Sequence, residues 1–498
     1  MHVVIIGAYG SAGVAVADGL VDHVGAEIDR LTLVDDGDPG GGLCILRGCM
    51  PSKEVLSAAA HRYQARADHR LNGPAHEMDL ESVVETKDDH VLGFAEHRRG
   101  HVHDLAAQEG VEFVYATARL DGPNRVELYE GDDPAGGATP SHAPDADPIR
   151  TLDADYVVVS TGSTLDVPDL PGIEEVHYMD FADVLDATEL PDSGVVMGFG
   201  YVGLEMVPYL AEAGVDLTVI EHDERPLDDA PPAFGDEVLE MYREEFGVDV
   251  LTTTDEKRLE PTDDGGVRLV YADRAATDGA AHAGQQHGGE RTVEADELFL
   301  FTGRRPNVDG LGLESVGVDV GSGFVDDTMQ AADAPTLFFP GDVNEKEPLL
   351  HIAKEQGQLT AENLLAHARG EDLAADEFTP HHVMFTGAGV YPYARVGHTA
   401  ETAREELDDP IVTRRWAEDD GVFKTKDAPR GLAELIVARD GTVVGYQGLH
   451  YHADVMAKTM QVIVEMGLDA REIPDRSFHP TTPEIIDGLL REAVAELA

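Results

Sequence analysis

The sequence predicts the α/β class: two βαβ-built units with parallel sheets, then a separate α+β domain toward the C-terminus. Three observations carry this. Short β-branched runs leading into glycine turns recur at 3–7, 156–160, 195–198, 298–301 and 337–339. Several continue into apolar residues at helical spacing, as at 13–20 and 204–213, and strands alternating with helices imply parallel βαβ construction. From about residue 377 the pattern changes to strands at 435–438 and 443–448 and helical segments at 453–466 and 483–497. Two stretches, 131–148 and 272–290, are rich in small and polar residues with little periodicity and are expected as surface insertions.

The 498 residues suffice for about three domains. A hydrophobic share of 42% and a charged share of 27% suit a globular protein and exclude disorder. Charge is the unusual quantity: Asp and Glu total 97 against 36 Lys and Arg, a formal net charge of −61, and only eight of the bases are lysines. Such a surface repels nucleic acid and anionic membranes. It points to a halophilic, high-salt setting, because the Debye length shrinks to about 3 Å near 1 M salt and self-repulsion fades. No run reaches the ~18 apolar residues of a membrane helix. The N-terminus opens on a strand-like Val3-Val4-Ile5-Ile6 without a basic segment, so no secretory leader is expected. Two cysteines cannot build a disulfide scaffold. A cytoplasmic location is expected.

Gly198-Phe199-Gly200-Tyr201-Val202-Gly203 follows a strand and opens a helix. Glycines at this spacing allow a tight turn, close approach of a pyrophosphate and close helix–strand packing. The next strand ends in Glu221, 23 residues after the first glycine, where a carboxylate accepts from an adenosine ribose. That acid repels a 2′-phosphate and favours NAD over NADP. The N-terminal copy, Gly7-Ala8-Tyr9-Gly10-Ser11-Ala12-Gly13, is less regular. Either Ala8 takes the first glycine's place, or Gly7 makes the turn with one residue inserted. The strand at 31–34 ends in Asp35, an acid at the expected distance. Two such units imply two nucleotides, and electron transfer between them is the simplest reason to have both.

Both cysteines lie in Gly40-Gly41-Gly42-Leu43-Cys44-Ile45-Leu46-Arg47-Gly48-Cys49-Met50-Pro51-Ser52-Lys53. Five residues apart at a glycine-rich helix start, their sulfurs come within disulfide reach. A helix N-terminus and the nearby Lys53 favour a thiolate. Two inert buried thiols, or half of a zinc site, are the competing readings; zinc needs about four ligands and no further cysteine exists. No metal centre is expected. His450 with His452, or His381 with His382, would be candidate ligand pairs for a metal-binding or redox-sensing module.

With these segments in view, the chain resembles the FAD-dependent pyridine nucleotide–disulfide oxidoreductases, the group of dihydrolipoamide dehydrogenase, glutathione reductase and mercuric reductase. Residues 41–53 are similar to its redox-active disulfide motif. Thr302-Gly303-Arg304-Arg305-Pro306-Asn307 resembles its strand–turn into the central domain, Gly341-Asp342 its second FAD motif, and Pro348-Leu349-Leu350-His351 the stretch that follows near the flavin. His479-Pro480-Thr481-Thr482-Pro483-Glu484 is similar to its C-terminal active-site motif.

The resemblance implies two Rossmann-like domains and a dimerisation domain: FAD at 1–168 and 301–375, NAD at 169–300, dimerisation at 376–498. It implies Cys44 as the interchange thiol and Cys49 as the thiol nearest the flavin, forming a charge-transfer thiolate. Lys53 and Glu205 would pair beside the flavin. His479 would move protons for the thiols, oriented by Glu484, and would reach the dithiol of a partner subunit in a homodimer. The cofactor-contacting positions are Ala8, Gly10, Ser11, Ala12, Gly13, Asp35, Gly42, Lys53, Thr161, Gly162, Ser163, Asp342, Leu349, Leu350, His351, Gly198, Gly200, Tyr201, Val202, Gly203, Glu221 and Gly303.

The expected activity is electron transfer between NAD(H), FAD, the Cys44–Cys49 disulfide and a small dithiol or disulfide, with dihydrolipoamide dehydrogenase leading. The alternatives are a reductase of a low-molecular-weight thiol disulfide and a quinone or diaphorase flavoprotein. Association with a 2-oxoacid dehydrogenase complex is a further candidate, although no peripheral-binding motif is readable. Departures from the dihydrolipoamide dehydrogenase pattern are the first FAD glycine, Arg47 in the dithiol loop and Phe478 before His479. No cysteine pair stands at the C-terminus and no N-terminal metal-binding domain is seen, unlike mercuric reductase. Glu221 counts against an NADPH-dependent glutathione-type reductase.

Overall fold

The computed structural model describes residues 1–131, 147–274, 289–321, 323–376 and 378–498. The insertions expected at 131–148 and 272–290 fall mostly on 132–146 and 275–288, outside the described residues. The chain divides into two compact units. One comprises Met1–Pro51, Thr86–Asp166 and Arg304–Glu377, the other Ser52–Glu85, Val167–Gly303 and Phe378–Ala498.

In the first unit, the N-terminal β-branched run forms the strand His2–Ile6, in which Val3, Val4 and Ile5 are wholly buried. It pairs in parallel with Arg30–Asp35 and Tyr156–Val159. The sheet runs Gln330–Ala331, Ala334–Phe338, Tyr156–Val159, His2–Ile6, Arg30–Asp35, Val111–Tyr115, and only the first of these pairs is antiparallel. Alternate side chains enter two cores. Val4, Ile6, Val157 and Val159 pack with the antiparallel strands Thr117–Leu120, Arg125–Tyr129 and Arg150–Asp153. Val3, Ile5, Leu33 and Val158 pack with the helices Ser11–Val21 and Leu350–Arg369. A sheet covered on both faces needs uninterrupted apolar strands, which is why these runs were legible. Each such Val or Ile contributes roughly 1.5–3 kcal/mol on burial.

In the second unit, a parallel sheet runs Asp249–Leu251, Asp216–Ile220, Ser193–Met197, Glu297–Leu300, Met179–Asp180. The helix Tyr201–Ala213 follows the central strand and ends on Gly214 at φ +105, a left-handed cap that glycine adopts at little cost. Beyond it lies an antiparallel sheet ordered His381–Met384, Tyr393–Gly397, Val443–His450, Gly431–Val437, Ile411–Trp416. The helices Ala453–Glu465 and Glu484–Leu497 cover one of its faces. The α/β halves and the α+β C-terminal region are those the sequence pattern predicts. The last helix starts at Glu484, with Pro483 as its N-cap.

His450 is completely buried in this C-terminal region. Its Nε2 lies 3.0 Å from the Tyr446 hydroxyl and its Nδ1 3.0 Å from the Tyr451 carbonyl oxygen, and the Phe423 ring meets it edge-on. Burial pushes its pKa from 6.5 down to about 4, against the Tyr451 hydrogen bond. The unfolded chain therefore takes up this proton before the folded chain does. Stability from this site is present above pH 6.5 and is lost as pH falls toward 4, by roughly 3 kcal/mol across the window. Thermal melts of a His450→Phe variant should show a flatter acid limb than the wild type; an unchanged limb would place the acid sensitivity elsewhere.

Candidate active site

Both glycine turns are built on close backbone approach. Gly198 has φ +96, and a Cβ there would stand 2.3 Å from the Phe301 carbonyl oxygen; at Gly203 it would stand 2.2 Å from the Gly198 carbonyl oxygen. The N-terminal turn repeats this geometry at Gly7 (φ +88, 2.3 Å from the Ser160 oxygen) and Gly13 (2.3 Å from the Gly7 oxygen). Gly7 is thus the first glycine and one residue is inserted, which settles the two alignments; Ala8 is buried behind the turn and does not replace that glycine. Gly10 and Gly200 are the N-caps of the helices Ser11–Val21 and Tyr201–Ala213, neither with a side-chain cap. Uncapped helix starts offer amides to a phosphate.

Tyr9, the inserted residue, organises the surroundings of the first turn. Its ring lies where a Cβ on Gly40 would come within 2.1 Å, so only glycine fits there. Its amide donates to Asp35 Oδ2 at 2.8 Å, and the Gly37 amide donates to Oδ1 at 2.9 Å. Burial outweighs these bonds and pushes the Asp35 carboxyl up to about 6. Nearby, Thr161 Oγ1 is buried with no hydrogen-bond partner among the described residues. Ser163 Oγ donates to Asp342 Oδ2 at 3.0 Å. Leu349 caps the helix Leu350–Arg369, with His351 in its first turn. Uncapped amides, an acid at the strand end and an orphaned hydroxyl fit a dinucleotide.

At the second turn a cleft of about 400 Å³ is lined by Gly198, Gly200, Glu221, His222, Arg225 and Arg274 among others. Glu221 accepts from the Asp223 amide at 2.8 Å, and burial raises its carboxyl above the ordinary range. His222 Nε2 sits 2.6 Å from Glu256, which raises the imidazole pKa. His222, Arg225 and Arg274 were not foreseen. The first two lie directly behind Glu221, where strand-end residues line a ribose pocket, but Arg274 arrives from a distant strand. Tyr201 is exposed, Val202 half-buried, and Gly303 adopts φ +100 with open space where its Cβ would stand.

The thiol segment is held by glycines. Gly42, at φ +79, starts the short helix Leu43–Arg47 and would meet Gly10 Cα at 3.1 Å if it carried a Cβ. At Gly48 a Cβ would lie 2.8 Å from Cys44 Cα. Glycine there lets the next helix, Cys49–Ala67, begin folded back on the Cys44 turn. Cys44 is half-buried and Cys49 exposed. A thiol at the first position of a 19-residue helix is favoured as thiolate. Arg98 donates to the Tyr9 carbonyl at 3.1 Å, and burial holds its guanidinium below its ordinary range, against the opposing influence of Cys44.

Two further pairs predicted from the sequence are brought together. Lys53 Nζ donates to both oxygens of Glu205, at 2.8 and 2.7 Å. The Phe385 amide donates to Glu205 Oε1 at 3.0 Å, and the Phe385 ring lies 4.8 Å from Lys53 Nζ; neither contact had a sequence signal. His479 Nδ1 is 3.0 Å from Glu484 Oε1, which also accepts from the Thr481 amide at 3.0 Å. The Thr481 amide first, then His479, holds the Glu484 carboxyl below the ordinary range. The His479 side chain is 79% exposed, so Nε2 is the ring atom open to exchange. Of the proposed metal ligands, His450 is committed to Tyr446 and Tyr451, and His452 Nδ1 is 3.1 Å from Thr482 Oγ1.

Two dinucleotide turns on parallel sheets, with a dithiol at a glycine-held helix start, define a nucleotide-dependent redox protein. The chain belongs to the pyridine nucleotide-disulphide oxidoreductase family, whose main domain matches residues 1–357 and whose dimerisation domain matches residues 383–489. It is 27% identical to a dihydrolipoyl dehydrogenase of Halobacterium salinarum over 464 residues, covering 91% of this chain and 89% of that one. It is 28% identical to a mercuric reductase of Streptomyces lividans over 450 residues, covering 88% and 86%. Among solved structures, LpdA from Mycobacterium tuberculosis matches with a TM-score of 0.78 at 22% identity, and the HOCl-induced flavoprotein disulfide reductase RclA from Escherichia coli with 0.78 at 20%, each covering 99% of both chains. The protein is a flavin-dependent disulfide oxidoreductase of this family, which uses FAD and NAD(P). The dimerisation domain supports a homodimer. No helix among the described residues is long and apolar enough to cross a membrane.

Asp35 offers a test of the first turn. Were Asp35 the ribose acceptor, it would have to be ionised, and a carboxyl pushed up to about 6 by burial would make binding compete with protonation. FAD affinity of the apoprotein should therefore fall as pH drops through about 6, and Asp35→Asn should weaken it roughly ten- to hundredfold with a flatter pH profile. Titration by flavin fluorescence quenching measures both.

Proposed function

We propose that this chain is an NAD-dependent oxidoreductase of a small dithiol–disulfide couple, with dihydrolipoamide as the leading substrate, acting as a cytoplasmic homodimer. The domains are assigned as FAD at 1–168 and 301–375, NAD at 169–300 and dimerisation at 376–498. The observation that carries the reading is Gly48, whose missing side chain lets the Cys49 helix begin against the Cys44 turn. A pair of thiols so arranged is built to open and close a disulfide.

Bound FAD supplies hydride exchange with the nicotinamide and electron exchange with a dithiol. In the reductive direction the Cys44 thiolate attacks one sulfur of the substrate disulfide, that S–S bond breaks, and the leaving thiolate takes a proton from Nε2 of the partner subunit's His479. The Cys49 thiolate then attacks Cys44 Sγ, releasing the second substrate thiol and forming the Cys44–Cys49 disulfide. Oxidation of a dithiol runs these steps backward, with His479 as base. Glu484 fixes the His479 ring by holding Nδ1, so Nε2 carries the exchanging proton. Glu221 favours NAD by repelling a 2′-phosphate. The charge of −61 suits activity in concentrated salt, and haloarchaeal dihydrolipoyl dehydrogenases are among the relatives.

A second reading, a reductase of a carboxylate-bearing low-molecular-weight disulfide, is favoured by Arg47, a half-buried cation ending the helix between the two thiols. NADH-dependent assays in high salt against lipoamide, bis-γ-glutamylcystine and quinones separate the readings. Cys44→Ser should lower lipoamide turnover at least about a thousandfold while dye or quinone reduction by NADH survives. Intact lipoamide turnover in that variant would end the dithiol reading. His479→Gln should slow disulfide turnover roughly 10²–10⁴-fold and leave quinone reduction in place.

A further inference from the structure

The helix Tyr201–Ala213 carries a proline in its interior, Pro208. A residue at that place ordinarily donates its amide to the carbonyl four residues earlier, that of Leu204; proline has no N–H to give. Here the Leu204 carbonyl accepts instead from the hydroxyl of Tyr242, on the neighbouring helix Pro232–Glu245. Tyr242 is fully buried. Its hydroxyl oxygen also accepts from the Gly387 amide at 3.3 Å. Gly387, Ala388 and Gly389 form a left-handed stretch with φ +57, +55 and +77, two residues beyond Phe385.

Both ends of this bridge lead to Glu205. Leu204 precedes it in the chain, and the Phe385 amide donates to its Oε1. One hydroxyl thus ties together the helix turn that carries the carboxylate and the loop that supplies a donor to it. Glu205 is also bonded through both oxygens to Lys53.

We propose that Tyr242 is a positioning residue for the redox reaction: its hydroxyl takes over the bond that Pro208 cannot make and locks the Leu204–Glu205 turn to the Gly387 loop, so that Glu205 keeps its place on Lys53. This rests on the reading that the Lys53–Glu205 pair stands beside the flavin. A buried carbonyl and amide left without partners shift to find others, and a displacement of about 0.5 Å is enough to degrade a reacting site.

The test uses the flavin-loaded enzyme and three variants, Tyr242→Phe, Tyr242→Phe with Pro208→Ala, and Glu205→Gln, read by flavin midpoint potential, stopped-flow reduction by NADH and thermal melting. Tyr242→Phe should shift the potential and slow flavin reduction roughly three- to tenfold. The double variant, which returns an amide to the Leu204 carbonyl, should recover most of both. Tyr242→Phe that lowers the melting temperature but leaves potential and reduction rate unchanged would overturn the proposal, as would a double variant no better than the single one. If Glu205→Gln moves the potential and Tyr242→Phe does not, only this inference fails. If Glu205→Gln leaves the potential unmoved, the placement of the pair beside the flavin fails and takes the inference with it.

Discussion

Each nucleotide turn depends on a backbone-to-backbone approach that no side chain permits. At Gly7, Gly13, Gly198 and Gly203 a Cβ would come within 2.2–2.3 Å of a carbonyl oxygen, far inside any tolerable contact. The missing atoms let the helix start press against the end of the central strand and aim its uncapped amides outward. The same device holds the thiols: glycine at 42 lets the dithiol loop lie on the first turn, and glycine at 48 lets the Cys49 helix fold back on Cys44. Chemistry in this chain is placed by absence of side chains before it is performed by their presence.

The parallel sheets were legible because both of their faces are buried, and two-sided burial writes itself as continuous apolar runs. The pairs Lys53–Glu205 and His479–Glu484 were legible only through whole motifs; as isolated residues they carry no pattern. What escaped the sequence is tertiary in origin. The inserted Tyr9 looks like a defect in the glycine motif until its ring is seen filling the space over Gly40 and its amide bonding Asp35. Phe385 acts on Glu205 through its backbone, so its residue type signals nothing. Tyr242 reaches Leu204 from 38 positions away, and only Pro208, misplaced in a helix, hints that some donor must come from outside.

Against a net charge of −61, basic side chains gather at the second cleft. The second cleft places His222, Arg225 and Arg274 around Glu221, yet each is tied to an acid: His222 to Glu256, Arg225 to Asp236, and Arg274 to Asp255 at 3.6 Å. Cations already engaged by carboxylates are poorer hosts for an additional phosphate, whereas the start of the Tyr201–Ala213 helix carries no side-chain cap. Exposed pairs of this kind contribute little stability of their own once salt screens them.

The choice of base at position 53 follows from the same geometry. This chain is poor in lysine, with eight among its 36 bases. An arginine at 53 would present a planar fork suited to binding one carboxylate edge-on, with its charge spread over three nitrogens. Lys53 instead brings a compact ammonium that reaches both oxygens of Glu205 and the Ser52 hydroxyl at 3.3 Å while resting over the Phe385 ring. A point charge with three rotatable donors meets these three oxygens at once; a guanidinium locked in a two-bond fork would commit its plane to Glu205.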